Sequence, residues 1–65
     1  MFRRQIGKQV MVNTAQETIG GRLDRVDRQG ITLAEATHLQ LGQEHPIDGL
    51  VLIPWQTINW TQVLP

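Results

Sequence analysis

The side chains that bind metals or move protons in proteins are concentrated in one polar stretch of this chain. His38, Glu44, His45 and Asp48 all lie within residues 37–48. Their spacing matches no pattern of a protein zinc site, and a metal centre needs at least three converging ligands held by an ordered second shell. We therefore predict polar loop residues here and no metal site.

The groups available for covalent catalysis are few. The chain contains no Ser, Cys or Tyr, which leaves Thr, Lys8 and carboxylates as nucleophiles. Asp24 and Asp27 alternate with basic residues, a pattern typical of weak surface ion pairs, and a domain this small offers no pocket that would desolvate them. The sequence predicts a protein that is not an enzyme and that uses no cofactor or small-molecule substrate.

Basic residues are clustered at the start of the chain. Six Lys and Arg residues balance six Asp and Glu residues, so the whole chain has no general attraction for nucleic acid. Arg3, Arg4 and Lys8 nevertheless lie within the first eight positions without interleaved acids. Repeated in several copies, they would form a basic patch able to contact phosphates. The alternative is an ordinary solvated N-terminus.

Trp55 and Trp60 are the large aromatic side chains besides Phe2. A nucleobase can stack on an exposed indole, which contributes about 1–3 kcal/mol per base. Trp55 follows Pro54 in a turn and is the candidate stacking residue, with packing as its alternative role. Trp60 alternates with polar neighbours, so we expect it to pack in the core or against another protein chain.

The elements that must position these residues are short strands. Alternation of apolar and polar residues predicts five strands over residues 8–14, 17–27, 31–34, 50–53 and 58–63, preceded by one helical turn over residues 1–6. Residues 37–48 are predicted to form a loop, and residues 54–57 a tight turn. Leu23 and Val26 are three positions apart, which predicts a bulge or bend near Asp24 and Arg25.

Five short, bent strands in 65 residues predict a single all-β domain, residues 1–65, closed as a small barrel. The predicted core residues alternate along these strands: Val10, Val12, Ile19, Leu23, Ile31, Leu33, Leu52 and Ile58.

The strand at residues 50–53 is apolar at every position, so both of its sides must be covered. A domain of this size buries only about 60% of the surface its unfolded chain exposes, and without cysteine it has no disulfides to compensate. We therefore expect a homo-oligomer. Its predicted interface residues lie on the last two strands: Leu50, Val51, Leu52, Ile53, Ile58, Trp60 and Val63.

The order of these motifs resembles the Sm-like (LSM/Hfq-type) barrel family. Residues 7–33 are similar to the first motif of that family, G-x-x-V-x-V followed by G-x-L-x-x-x-D and an apolar pair. Residues 53–60, Ile-Pro-Trp-Gln-Thr-Ile-Asn-Trp, are similar to its second motif. The resemblance implies an SH3-like barrel with a 3₁₀ connection before the last strand. It also implies a ring of about five to seven copies, in which the fourth strand of one copy pairs with the fifth of the next, and binding of RNA or other single-stranded nucleic acid.

Two departures from the family pattern argue against its usual RNA pocket. Gln29 and Gly30 occupy the stretch where the family has an Asn shortly after the Asp, and Pro54 and Trp55 replace its Arg-Gly pair. The sequence also resembles PRC-barrel domains, through Ile-Gly-Lys-Gln-Val at residues 6–10 and Ile-Pro-Trp at residues 53–55. Short barrels of tailed phages are similar in composition.

The alternative function is therefore a structural or adaptor oligomer, phage-derived or PRC-barrel-like, that binds protein partners. No apolar run approaches the roughly 18 residues of a membrane span, and we expect a cytoplasmic protein, or a virion-associated one if it is phage-derived.

Overall fold

Six antiparallel strands and two 3₁₀ turns form the chain in the computed structural model, which describes the backbone of residues 2–40 and 42–65 and the side chains of residues 4–40 and 42–65. No helix in these ranges is long and apolar enough to cross a membrane. In chain order the elements are a 3₁₀ turn at Phe2–Gln5, β1 (Gln9–Thr14), β2 (Thr18–Val26), β3 (Gly30–Gln40), β4 (Gln43–Pro46), β5 (Val51–Pro54), a 3₁₀ turn at Trp55–Thr57, and β6 (Ile58–Val63).

One long strand, β3, holds the sheet together. The strand order is β4-β3-β2-β1-β6, and β5 also pairs with β3. The first half of β3 pairs with β5, from Gly30 to Leu33, and its second half pairs with β4, from Thr37 to Gln40. Between the halves Glu35 has a positive φ of 51°, and two residues of β3 oppose Gly21 of β2. This bulge bends β3, so that one strand serves two partners on the same side.

The bulge expected near Asp24 and Arg25 is confirmed. Leu23 pairs with Leu33, and Arg25 pairs with Thr32, so Asp24 is the extra residue of β2. The extra residue restores the alternation that the three-residue spacing from Leu23 to Val26 interrupts. Leu23 is buried, and Val26 packs against the same core.

Most of the predicted core is confirmed, but the phase of β5 was wrong. Leu52 is 68% exposed, whereas Ile53 is only 4% exposed. Val51 and Ile53 pair with Leu33 and Ile31, whose side chains are buried, so the odd positions of β5 face the core. Because every position of this strand is apolar, no alternation in the sequence shows which residues point inward. The full buried cluster is Val10, Val12, Ile19, Leu23, Ile31, Leu33, Ala36 and Ile53, and Ile58 packs against it half-buried.

The loop predicted over residues 37–48 was also wrong. Its first part continues β3, and Gln43–Pro46 forms β4, which gives six strands where five were predicted. None of the described residues of this hairpin arm is buried, so the hydrophobic alternation that marks a strand is missing. Backbone pairing holds the arm, and Gly42 takes the positive φ of 70° that its turn requires.

Gly30 sets the distance between β3 and β5. A Cβ atom at this position would overlap the carbonyl oxygen of Ile53 and lie 2.8 Å from the Cα of Pro54. Both obstacles are backbone atoms, which cannot rotate away as a side chain could. The close packing of β5 against the start of β3 therefore requires glycine at this position.

We predict that Gly30→Ala destabilises the fold by about 1–3 kcal/mol or more, because the added methyl group forces β5 away from β3. Gly20→Ala is the matched control, since its Cβ would meet its nearest atoms at 3.7 and 3.8 Å, an ordinary contact. This control should keep the parent stability or gain about 0.5–1 kcal/mol. Urea denaturation followed by circular dichroism measures both variants. Equal midpoints for the two alanine variants would contradict the assignment.

Candidate functional site

The β2–β3 turn is closed by its own aspartate. Oδ1 of Asp27 accepts hydrogen bonds from the backbone N–H groups of Gln29 (2.9 Å) and Gly30 (3.2 Å). The N–H of Asp27 donates to the carbonyl oxygen of Gly30 at 3.0 Å. A side-chain carboxylate that satisfies the amides following it fixes the turn in one conformation.

Trp55 lies against this turn and joins it to the end of β5. Its backbone N–H donates to the carbonyl oxygen of Gln29 (3.2 Å), and its indole Nε1–H donates to the carbonyl oxygen of Asp27 (2.9 Å). The 3₁₀ turn that carries Trp55 is closed by a hydrogen bond from the Thr57 hydroxyl to the Pro54 carbonyl oxygen (2.8 Å). The side chain is 39% exposed, so an oriented indole remains accessible to solvent.

A groove of about 430 Å³ lies beside Trp55, between the β2–β3 turn and β5. Arg28, Gln29 and Gln56 line it with exposed side chains, while the buried Thr32 and the exposed Leu52 lie on its β3 and β5 walls. The sequence pointed to Trp55 but missed Arg28 and Gln56. Arg28 belongs to the run of alternating Arg and Asp residues at positions 22–28, and nothing in the linear sequence places residue 56 next to it.

The basic N-terminal residues lie at a different part of β2. The N–H of Gly7 donates to the Leu23 carbonyl oxygen (2.7 Å), and the N–H of Leu23 donates to the Lys8 carbonyl oxygen (2.9 Å). Arg4 and Lys8 are exposed, whereas the side chain of Arg3 lies outside the described residues. Leu23 lies in β2, and the groove begins at Asp27, the residue that follows the end of this strand.

β5 has one open backbone edge. Hydrogen-bonded and non-hydrogen-bonded residue pairs alternate along an antiparallel ladder. Trp55 donates its N–H to the Gln29 carbonyl oxygen, so the Thr32–Leu52 pair, three pairs along, is a non-hydrogen-bonded one. The N–H and C=O of Leu52 therefore point away from β3. Pro54, the next outward position, has no N–H to offer. The Leu52 amide is thus the donor that β5 presents at this edge.

β6 has a second open edge. The N–H of Leu64 donates to the Gln9 carbonyl oxygen, so the next residue pair, Val10–Val63, is a non-hydrogen-bonded one. The pair formed by Thr61, two positions further along, is non-hydrogen-bonded as well, and the backbone N–H and C=O groups of Thr61 and Val63 point away from β1. Among the described strands, β1 is the one that pairs with β6, and β3 is the one that pairs with β5.

The predicted interface residues fall into two groups. Leu50, Leu52 and Trp60 are exposed, at 59%, 68% and 48%. The other side chains contact the protein's own core: Ile53 is buried, and Val51, Ile58 and Val63 are half-buried against the core cluster. The side chain of Ile53 is consequently not available to a neighbouring chain, although it belonged to the predicted set.

The two histidines of the hairpin arm each have a polar partner. His38 and His45 are register partners across the arm, but Nε2 of His38 lies 3.1 Å from Oε1 of Glu17, and Nε2 of His45 is 3.1 Å from Oε1 of Gln43. Within residues 4–40 and 42–65 no three His, Cys, Asp or Glu side chains converge as ligands.

The Arg25–Asp27 pair is long, at 4.0 Å, and exposed, which is typical of a weak surface ion pair.

Comparison with known proteins identifies the fold. No protein-family model matches the sequence, and no curated protein matches it. Two solved structures of archaeal Sm proteins are similar to it. One is the P. aerophilum SmAP1 heptamer, with a TM-score of 0.89 and 23% identity over 98% of this chain and 88% of that chain. The other is a heptameric archaeal Sm protein, with a TM-score of 0.88 and 23% identity over 98% of this chain and 96% of that chain.

At this level of identity the likeness concerns the fold, and it confirms what the motifs at residues 7–33 and 53–60 indicated. The chain has the Sm fold.

Proposed function

We propose that this chain is a non-enzymatic protein that assembles through β5 and β6 into a closed ring of identical copies and binds single-stranded RNA. The observation that carries the proposal is the pair of open strand edges, each next to a large exposed apolar side chain. Leu52 is exposed on β5, and Trp60 is exposed on β6. An unpaired edge with exposed apolar residues is a template for another strand, and here the chain itself supplies both partners.

We propose that β5 pairs antiparallel with β6 of the next copy, since this pairing would cover the exposed Leu52. Leu52 points its amide to the open edge and its side chain away from the core, whereas Thr61 and Val63 point their amides to the open edge and their side chains toward the core. Residues of an antiparallel hydrogen-bonded pair keep their side chains on the same face of the sheet. Pairing Leu52 with Thr61 or Val63 therefore places Leu52 on the core side of its neighbour, where it loses its contact with water.

Because the two edges are different surfaces, their contact is heterologous, and it forms a ring if the rotation between copies closes. The solved structures of this fold described above are heptamers, which supports closure. We propose a ring of about five to seven copies.

The RNA part of the proposal depends on surfaces that a ring would repeat. Each copy contributes the exposed Arg4 and Lys8, together with the groove beside Trp55. The chain has no net charge, so attraction for phosphates has to come from such a repeated local patch. We infer that the N-terminal cations hold the phosphates and that the indole of Trp55 stacks a base.

We predict that the native protein has one mass of about 37 to 52 kDa, as expected for five to seven copies of a 7.4 kDa chain. Leu52→Glu should shift it to smaller species, because the pairing would place a carboxylate against the neighbour's apolar side chains. Gln40→Glu, at an exposed position on the arm, is the matched control and should leave the mass unchanged. Light scattering behind a sizing column measures all three proteins. A parent protein that stays monomeric at about 10 μM would contradict the ring.

We further predict that replacing Arg3, Arg4 and Lys8 together by Gln abolishes binding of a fluorescently labelled U-rich or A-rich oligonucleotide while the assembly keeps its mass. The logarithm of the parent's affinity should fall linearly with the logarithm of the salt concentration, as expected for phosphate contacts. Anisotropy titrations at several salt concentrations measure both effects. A flat anisotropy for the parent up to tens of micromolar at low salt would contradict RNA binding and favour the adaptor alternative, in which the ring binds protein partners.

A further inference from the structure

We propose that Glu44 and Pro46 block the open edge of β4, so that strand pairing between copies on this side of the sheet is confined to β5. Among the described strands, β4 and β5 each pair with β3 alone, which leaves both with an exposed edge. An exposed edge is a template for another strand unless something blocks it. The comparison with β5 rests on the proposed ring, whereas the edge of β4 belongs to each copy by itself.

The hydrogen-bond pattern of the hairpin arm determines which backbone groups of β4 lie on the open edge. The N–H of Ile47 donates to the Ala36 carbonyl oxygen at 2.8 Å, and the β3–β4 pairs continue from there toward the turn. Hydrogen-bonded and non-hydrogen-bonded pairs alternate along such a ladder. The pairs that contain Pro46 and Glu44 are therefore non-hydrogen-bonded, and the backbone groups of these two residues point away from β3.

Pro46 removes one of the two donors that this edge would otherwise present. Proline has no N–H, and within sheets it is confined to places where no ladder hydrogen bond needs one. At an outward-facing position the pairing of β4 with β3 loses nothing. A strand added from outside would find no donor for the carbonyl oxygen that it places opposite Pro46. The N–H of Glu44 is the donor that remains.

Glu44 makes this remaining position unfavourable for β6 of another copy. It takes the same place on β4 that Leu52 takes on β5, with an outward-facing backbone and an exposed side chain. Residues of a hydrogen-bonded antiparallel pair keep their side chains on one face of the sheet. Pairing with Thr61 or Val63 would therefore draw the opposing side chain to the core side of β6. Leu52 gains apolar cover there, whereas the carboxylate of Glu44 would lose water without gaining a partner.

Two copies of β4 are also poor partners for each other. If Glu44 of each lies opposite Pro46 of the other, two pairs form that would ordinarily share two hydrogen bonds each, and each pair loses one to the proline. If the two Glu44 residues lie opposite each other, like charges meet directly, which destabilises a sheet. If the two prolines lie opposite each other, the pair has no donor. Each alignment of the outward-facing residues therefore carries a penalty.

The test is the double variant Glu44→Thr, Pro46→Thr, which restores the missing N–H, removes the carboxylate and adds two residues that favour strands. We expect it to form species of about twice the parent mass or more, at concentrations at which the parent keeps one mass. The matched control is Gln43→Thr, His45→Thr. It puts the same two threonines on the same strand at positions whose backbone groups face β3, so it should keep the parent mass.

Light scattering behind a sizing column measures the masses, and circular dichroism verifies that each variant is folded. Residue-resolved hydrogen exchange of the parent is a second readout, which does not depend on the folding of any variant. The Glu44 amide faces water and should exchange fast, whereas the amide of His45, in a hydrogen-bonded pair with His38, should be protected. In the double variant the amides of residues 44 and 46 should both become protected.

Three results would overturn the proposal. The first is a folded double variant that keeps the parent mass up to about 100 μM. The second is a control that reaches the same large masses, since added threonine and not an unblocked edge would then cause the association. The third is slow exchange of Glu44 in the parent. A monomeric parent would refute the proposed ring, but the double variant should then still associate, so the two proposals fail separately.

Discussion

The close approach of Gly30 to the backbone of Ile53 is the constraint on which the rest of the structure depends. It allows β5 to pair with the first half of β3, which directs Val51 and Ile53 to the core and turns Leu52 to the outside. It also sets the path of the chain into the 3₁₀ turn, so that Trp55 reaches the β2–β3 turn with both of its N–H groups. One missing side chain thereby decides the position of an open edge and of the groove beside it.

The same arrangement connects the two halves of the proposed function. Leu52 contributes to the wall of the groove, and its backbone forms the open edge of β5. A neighbouring β6 that pairs with this edge would therefore lie beside Trp55, and assembly would shape the RNA groove as well as cover Leu52. In this account the ring is the condition for binding, because a single copy with no net charge presents too few cations to hold a phosphate chain.

The sequence predicted the features that appear in it as an alternation of apolar and polar residues, as an interruption of that alternation, or as a proline. The strands near both termini, the bulge at Asp24 and the short turn before β6 follow from alternation, an interrupted alternation and a proline. The phase of β5 and the existence of β4 produce no alternation in the sequence, because β5 is apolar at every position and β4 is exposed at every position. At the site, Trp55 could be found as an aromatic residue in a turn. Its hydrogen bonds to Asp27 and Gln29 do not follow from alternation or turn residues, since the tertiary fold brings together residues 28 and 26 positions apart.

Residue-resolved hydrogen exchange of the native protein tests the central claim, that β5 and β6 pair across copies, most directly. The amides of Leu52, Thr61 and Val63 point to the open edges of a single copy, where water reaches them. Pairing in the ring predicts that these three amides exchange as slowly as those of Ile31 and Val12 inside the sheet. Fast exchange at Leu52, Thr61 and Val63, with the interior amides still protected, would contradict pairing through these edges.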